Sequence, residues 1–325
     1  MSYKEFLSFR YGPSRLSIGP AAAAGSVPYV DLVSTLAGAA LVAIALRDIF
    51  DVLFHPLGRG MVARWVVRSV GWLARHLPGG ERTIGLLVGP LGYVAVVATW
   101  AALLAVGWAL IFLPHLPQGF NFDPALDPAQ HSGFGDALYV SLVNLTSLGY
   151  GDISPASSLL RILGPVETIF GLGLLTASIS WLISIYNAIS RRDSLAHEVH
   201  LAKEAEERLG EKLVDADPEL LETLLAGFAE QLIRSRRDLI HFPITHYFRT
   251  EDEQRALAGL LPFLSSLVEE ASGEDRPHSL RMRAEILGMA IDDFAATLRT
   301  RLRMPGETTE EILSHYQAEH GPVGE

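Results

Sequence analysis

The residues of this chain best suited to chemistry form a run of backbone rather than a nucleophile and its base: Thr146, Ser147, Leu148, Gly149, Tyr150, Gly151 and Asp152. Carbonyl oxygens turned inward from such a loop can replace the water around a dehydrated ion, but this requires alternating backbone conformations that side chains of L-residues resist. Glycine tolerates them, and Gly149 and Gly151 stand two apart with Tyr150 between them as a bulky brace. Gly-Tyr-Gly-Asp tetrapeptides also occur in ordinary turns, so the flanking elements must decide what this one does.

Those flanks read as membrane structure. Residues 134–145 predict a short apolar helix, too brief to cross a bilayer, that ends at the loop. Its carboxyl end would aim a negative dipole at a cation below. Residues 83–121 contain no Asp, Glu, Lys or Arg, and 93–113 predict a membrane-crossing helix after a kink at Gly89-Pro90. Residues 115–133, rich in Pro and Asp, read as an external turret, and 160–189 predict a second span ending at Arg191-Arg192. Gly171 and Gly173 lie within that span, where a bend and close helix packing are both open readings. Below them Leu175, Ile179 and Ile183 recur at four-residue steps; converging copies of that face could close a water-filled pore by dewetting.

Residues 32–54 are expected to form a further amino-terminal membrane helix with Arg47, Asp48 and Asp51 as a charged hem at its exit. Residues 61–77 are different. Arg64, Arg68 and Arg75 fall on one narrow stripe, Trp65 and Trp72 lie on its flank, and Val66, Val67, Val70 and Leu73 occupy other faces. That pattern predicts a helix lying flat on anionic lipids at the cytoplasmic surface. The five arginines between the first span and the next, Arg59, Arg64, Arg68, Arg75 and Arg82, and the pair Arg191-Arg192 both belong on the cytoplasmic side, which puts the amino terminus outside. The segment before residue 28 has Lys4, Arg10 and Arg15 but only Ala21 to Ala24 as an apolar run, so no cleaved leader is expected.

Composition agrees with this division. The chain has 325 residues, 49% of them hydrophobic, with mean hydropathy +0.25, too apolar for an ordinary soluble protein of that size. Residues 1–192 carry 12 Lys/Arg against 10 Asp/Glu, whereas 193–325 carry 14 against 27. A membrane half is thus followed by an acidic helical half, expected in the cytoplasm. No cysteine is present, which excludes disulfides and thiolate metal sites. Within the acidic half Asp217-Pro218 marks one helix start, with Leu221, Leu224, Leu225, Phe228 and Leu232 as its apolar face. Residues 250–253 fit a capping box before a second helix; 277–303 hold a third with Leu280, Ile286, Met289 and Phe294 inward; Thr308 and Glu311 cap a last one. Neither a glycine-rich phosphate loop nor the alternating strands of a cyclic-nucleotide pocket appears, and no constellation of nucleophile, base or metal ligands supports an enzyme. Paired histidines can bind metal or sense pH, but His197, Glu198 and His200 read first as solvated helix residues, and His241 and His246, beside Phe242, Pro243, Tyr247 and Phe248, as an aromatic core corner.

Phe134-Gly135-Asp136-Ala137-Leu138-Tyr139 and the run from Asn144 to Pro155, N-L-T-S-L-G-Y-G-D-I-S-P, resemble the pore of the two-transmembrane potassium-channel family over about residues 93–189. That resemblance implies an all-α tetrameric membrane protein with outer helix, pore helix, filter and inner helix. It implies potassium sites at the carbonyls of Ser147, Leu148, Gly149 and Tyr150, with the Ser147 hydroxyl added and Thr146 just before the filter. It further implies a hydrogen bond from Tyr139 to Asp152 and a hinge at Gly171, twenty residues past Gly151; Arg64, Arg68, Arg75, Trp65 and Trp72 would form the family's slide helix. Ser147 and Leu148 depart from the family's T-V-G-Y-G. Val143 stands where some relatives have Glu, and Glu167 is expected to contact the pore helix instead.

The organisation expected is an amino-terminal segment with its extra helix (1–56), the interfacial helix (57–82), the pore domain (83–192) and a cytoplasmic helical domain (193–325). The function expected is passive potassium conduction by a multi-pass homotetramer in the cell membrane, with anionic lipids and an unidentified cytosolic ligand as partners, no nucleic acid and no cofactor beyond the transported ion. A transporter subunit and a ligand-sensing membrane protein with a vestigial pore are the alternatives.

Overall fold

The structure, a computed structural model, describes residues 28–54, 60–76, 81–248 and 256–320. The amino-terminal residues before 28, Arg59 and the 250–253 capping signal lie outside them, as do the side chains of Arg75 and Arg82. The protein is an all-α membrane protein. In chain order the described helices are α1 (Pro28–Leu53), α2 (Met61–His76), α3 (Glu81–Phe112), α4 (Phe134–Leu145), α5 (Leu160–Leu209), α6 (Pro218–His241), α7 (Leu257–Ala271), α8 (His278–Leu302) and α9 (Thr309–His320). Among them α1, α3 and α5 are long and apolar enough to cross a membrane, and α4 is apolar but short.

Two cores organise these helices. The membrane-side core joins α1, α2, α3, α4 and the first half of α5 through Val42, Val67, Val96, Trp100, Leu104, Trp108, Val140 and Trp181. Helices α1 and α3 approach backbone to backbone: a Cβ on Gly107 would meet the Gly38 carbonyl oxygen at 2.9 Å and Val42 Cγ2 at 2.8 Å. Only small residues permit that approach where both helices are surrounded by apolar surface. Helix α3 starts twelve residues before the span expected from 93 and runs through Pro90 as one assigned helix. Gly89 makes room there for Phe248, whose ring a Cβ would strike at 2.6 Å.

The second core is built by α6, α7, α8 and α9 around Leu225, Phe228, Leu232, Leu261, Leu264, Leu287, Phe294 and Tyr316, with Leu195, Ala196 and Val199 of α5 inserted. The helix that carries the inner span does not stop at Arg191-Arg192. It continues as one 50-residue helix and stops only where Gly210 takes a left-handed φ of 68° and returns its N–H to the Glu206 carbonyl. Charges at 191 and 192 mark a change of surroundings; Leu195, Ala196 and Val199 then supply a new apolar face, so the helix has reason to persist.

The caps of the C-terminal helices are local. Asp217 accepts from the N–H of Glu219 at 2.9 Å, with Pro218 as first helical residue. Thr308 and Glu311 close a reciprocal box, Glu311 N–H to Thr308 Oγ1 at 3.2 Å and Thr308 N–H to Glu311 Oε2 at 3.5 Å. In α8 the inward face is Leu280, Ala284, Leu287, Ile291, Phe294 and Leu298, whereas Ile286 and Met289 are exposed. The expectation for those two is corrected: only the three- and four-residue steps from Leu280 stay on one face.

A two-stranded ribbon departs from the otherwise helical plan. Strand β1 (Phe120–Phe122) pairs antiparallel with β2 (Ile153–Pro155), Asn121 opposite Ser154. It clamps the chain leaving the 146–152 loop to the segment between α3 and α4.

Candidate functional site

Helix α4 places the 146–152 loop. Its start is fixed by Asp136, which accepts the Gly133 N–H at 3.1 Å and lies 2.8 Å from His131 Nδ1. At its far end the N–H of Ser147 donates to Asn144 O and that of Leu148 to Val143 O, both at 3.0 Å, while the Thr146 hydroxyl donates to Leu142 O at 2.6 Å. Three terminal carbonyls of α4 are thus held by the loop itself, and helix and loop form one unit.

Beyond that unit the backbone alternates. Ser147, Gly149 and Gly151 take positive φ of 61°, 58° and 80°, with Leu148 and Tyr150 between them. For Ser147, a residue with a Cβ, that conformation is disfavoured by about 1–2 kcal/mol, and the hydrogen bonds of Ser147 and Leu148 to the end of α4 help to hold it. None of the described residues covers the loop. Residues 146–151 are all exposed, Leu148 at 57% and Tyr150 at 68%, and a Cβ added to Gly149 or Gly151 would meet no atom within 4 Å. The loop is shaped within one chain and left uncovered by the described residues.

The back of the unit is finished. Tyr139 Oη donates to Asp152 Oδ2 at 2.7 Å, bracing the exit of the loop against α4. Glu167 of α5 is fully buried; its Oε1 lies 2.5 Å from Ser141 Oγ and its Oε2 accepts from Asn144 Nδ2 at 3.1 Å. Thr168 donates to Asn144 O at 2.9 Å. Three α5-to-α4 bonds therefore grip the last turns of α4, and Val143, also buried, takes no side-chain part in them.

The glycines of α5 separate. A Cβ on Gly171 would collide with the Leu145 carbonyl, so this glycine lets α5 pass directly beneath the end of α4. A Cβ on Gly173 would meet nothing within 4 Å, and α5 runs past both without a break. Leu175, Ile179 and Ile183 are exposed in a row on the face that continues below the loop.

On α2, Trp65 and Trp72 are exposed, while Ala63 and Val67 are buried against the membrane-side core. Arg64 and Arg68 line a cavity of about 350 Å³ together with Trp181, His241, Tyr247 and Arg303. Arg64 and Arg68, both exposed, thus stand at the edge of a cleft shared with the C-terminal domain, a neighbour that the sequence pattern of α2 does not encode.

Sequence reading assigned Asp48 to a charged hem, and the structure gives it a different place. Its carboxylate is buried, 4% exposed, and accepts three hydrogen bonds: Val62 N–H at 2.8 Å, Ala63 N–H at 3.0 Å and Trp100 Nε1 at 2.9 Å. It serves as the missing amino-terminal cap of α2, supplied from α1, and ties α3 in through Trp100. The signal available was an acid placed inside the end of an apolar helix, one turn before the Asp51 that pairs with Arg47, followed by a helix whose own start has only Gly60.

Residues 96–187, which take in the second half of α3, α4, the loop and the first half of α5, match the family model described as an ion channel. Among curated proteins, the uncharacterized membrane protein YdjJ of Bacillus subtilis (strain 168) is 25% identical over 223 residues, 68% of this chain and 64% of that protein. The chain therefore covers a little under two thirds of that relative's length. No solved structure matches the chain.

Proposed function

We propose that the segment matched as an ion channel is the potassium-selective pore of a homotetramer, with residues 146–152 of four chains arranged as its filter. The observation that carries the reading is the alternation of positive φ at Ser147, Gly149 and Gly151 in an exposed loop at the end of a half-membrane helix. Alternating conformations turn successive carbonyls to the same side, which is what a dehydrated cation requires. One chain supplies one wall; a closed symmetric ring supplies the coordination shell and covers Leu148 and Tyr150.

In this reading the carbonyls of Ser147, Leu148, Gly149 and Tyr150 and the Ser147 hydroxyl hold potassium. Tyr139 and Glu167 hold α4 and the loop in register from behind, and the Leu175, Ile179 and Ile183 face lines the way to the cytoplasm and closes it by dewetting. Trp65 and Trp72 rest at the anionic lipid surface, and the acidic domain lies in the cytoplasm and regulates or assembles the pore. Flux from liposomes holding the full-length protein decides it: potassium should leave far faster than sodium, and equal rates for both would overturn selectivity.

A further inference from the structure

The last described turn of α9 carries Glu319 and His320 against the single-turn 3-10 helix Pro243–Tyr247, in which His246 is buried. One ring nitrogen of each histidine and one carboxylate oxygen of Glu319 lie within 4.8 Å of one another. The two imidazoles have centroids 4.3 Å apart, and His246 Nε2 is 4.0 Å from Glu319 Oε1. Ligands of a tetrahedral zinc ion are separated by about 3.3 Å, so side-chain movements of up to about 1.5 Å close the set.

The surroundings fit a ligand set. His320 Nε2 lies 2.8 Å from the His246 carbonyl oxygen, to which it can only donate, so the lone pair of that ring belongs to Nδ1. A backbone carbonyl that fixes the tautomer of a histidine is the usual outer partner of a metal-bound imidazole. Tyr316, buried, stacks on both rings at centroid distances of 6.4 and 4.8 Å and limits their rotation. The charged groups nearby come from α5: Arg192 donates to Thr245 O at 3.1 Å and Phe248 O at 2.9 Å, with Asp193 3.6 Å from its Nε. Asp193 and Glu319 outweigh the single guanidinium, which is engaged with the two carbonyls.

We propose that His246, Glu319 and His320 bind one divalent transition-metal ion of the zinc type, with water completing its shell. Imidazole with one carboxylate favours zinc over calcium or magnesium. The ion would pin the end of α9 to the 243–248 segment. That segment is already held by Arg192 at the base of the inner helix and by Phe248 under Gly89 of α3, so the ion fastens the final helix to both ends of the pore domain's frame.

The full-length protein, stripped with a chelator and titrated with zinc, should bind one ion per chain and melt at higher temperature than with chelator present. His320→Ala and Glu319→Gln should each weaken binding by on the order of 100-fold, while a His197→Ala, His200→Ala double variant should bind as the parent does. Glu319 is 42% exposed, so Glu319→Gln keeps the test valid even where a histidine variant fails to fold. Three results would overturn the proposal: no zinc retained above background, zinc affinity unchanged in Glu319→Gln, or calcium competing as well as zinc.

Discussion

The 146–152 loop and the Asp48 junction are both polar nodes in an apolar setting, and they are completed in opposite ways. Asp48 takes three donors from its own chain and disappears from solvent. The loop uses its own chain only for shape: its carbonyl-bearing residues stand exposed with left-handed φ at Ser147, Gly149 and Gly151. A buried carboxylate without donors costs several kcal/mol, so each chain must settle it before insertion is stable. An exposed loop of alternating conformation can wait for copies, because its reward comes from assembly and from the ion.

Damage to the loop should therefore abolish flux while the single chain stays folded, and damage at Asp48 should unfold the chain. The largest effect is expected for Gly149→Ala, which places a Cβ at φ 58°. The cost is about 1–2 kcal/mol per chain, repeated in every copy of the ring, so potassium efflux should vanish while helix content and melting temperature stay near parent values. A melting temperature reduced as strongly as for Asp48→Ala would break the contrast. Asp48→Ala comes next: it leaves two N–H groups of α2 and the Trp100 indole without their acceptor and should cost about 3 kcal/mol, read by thermal unfolding in detergent. Flux per folded molecule should survive. A smaller change is expected for Ile183→Ser, where a polar group hydrates the constriction and resting leak should rise a few-fold; an unchanged leak moves the gate up to the loop. Smallest is Tyr139→Phe, which removes the 2.7 Å bond to Asp152 and about 1 kcal/mol with it. Potassium over sodium preference should fall there before stability does.

What was legible in the sequence follows from range. Asp217-Pro218 and the Thr308 and Glu311 pair could be read because a cap and its N–H groups lie within four residues of each other. Glycines two apart after a short apolar helix could be read for the same reason. Asp48 could not, since its donors lie 14, 15 and 52 residues away. The continuation of α5 past Arg191 and Arg192 was not legible, because the apolar positions that carry the helix onward, Leu195, Ala196 and Val199, take their partners from distant elements, chiefly α6 and α7. Ribbon β1–β2 was invisible, since three residues are too few to show alternation. The cleft that Arg64 and Arg68 border is made of walls from separate parts of the chain, and one helical wheel shows only one of them.

The unbroken α5 has a mechanical meaning. Where Gly171 rides under the Leu145 carbonyl the helix has a point of close contact, and from there to Val199, the last α5 residue buried in the second core, it extends about 42 Å at 1.5 Å per residue. Tilting that arm by 10° would sweep the gripped stretch through about 7 Å. A bundle that moved α5 from there would work with long travel and small force, and deliver short travel and large force at the glycine, as a crowbar does.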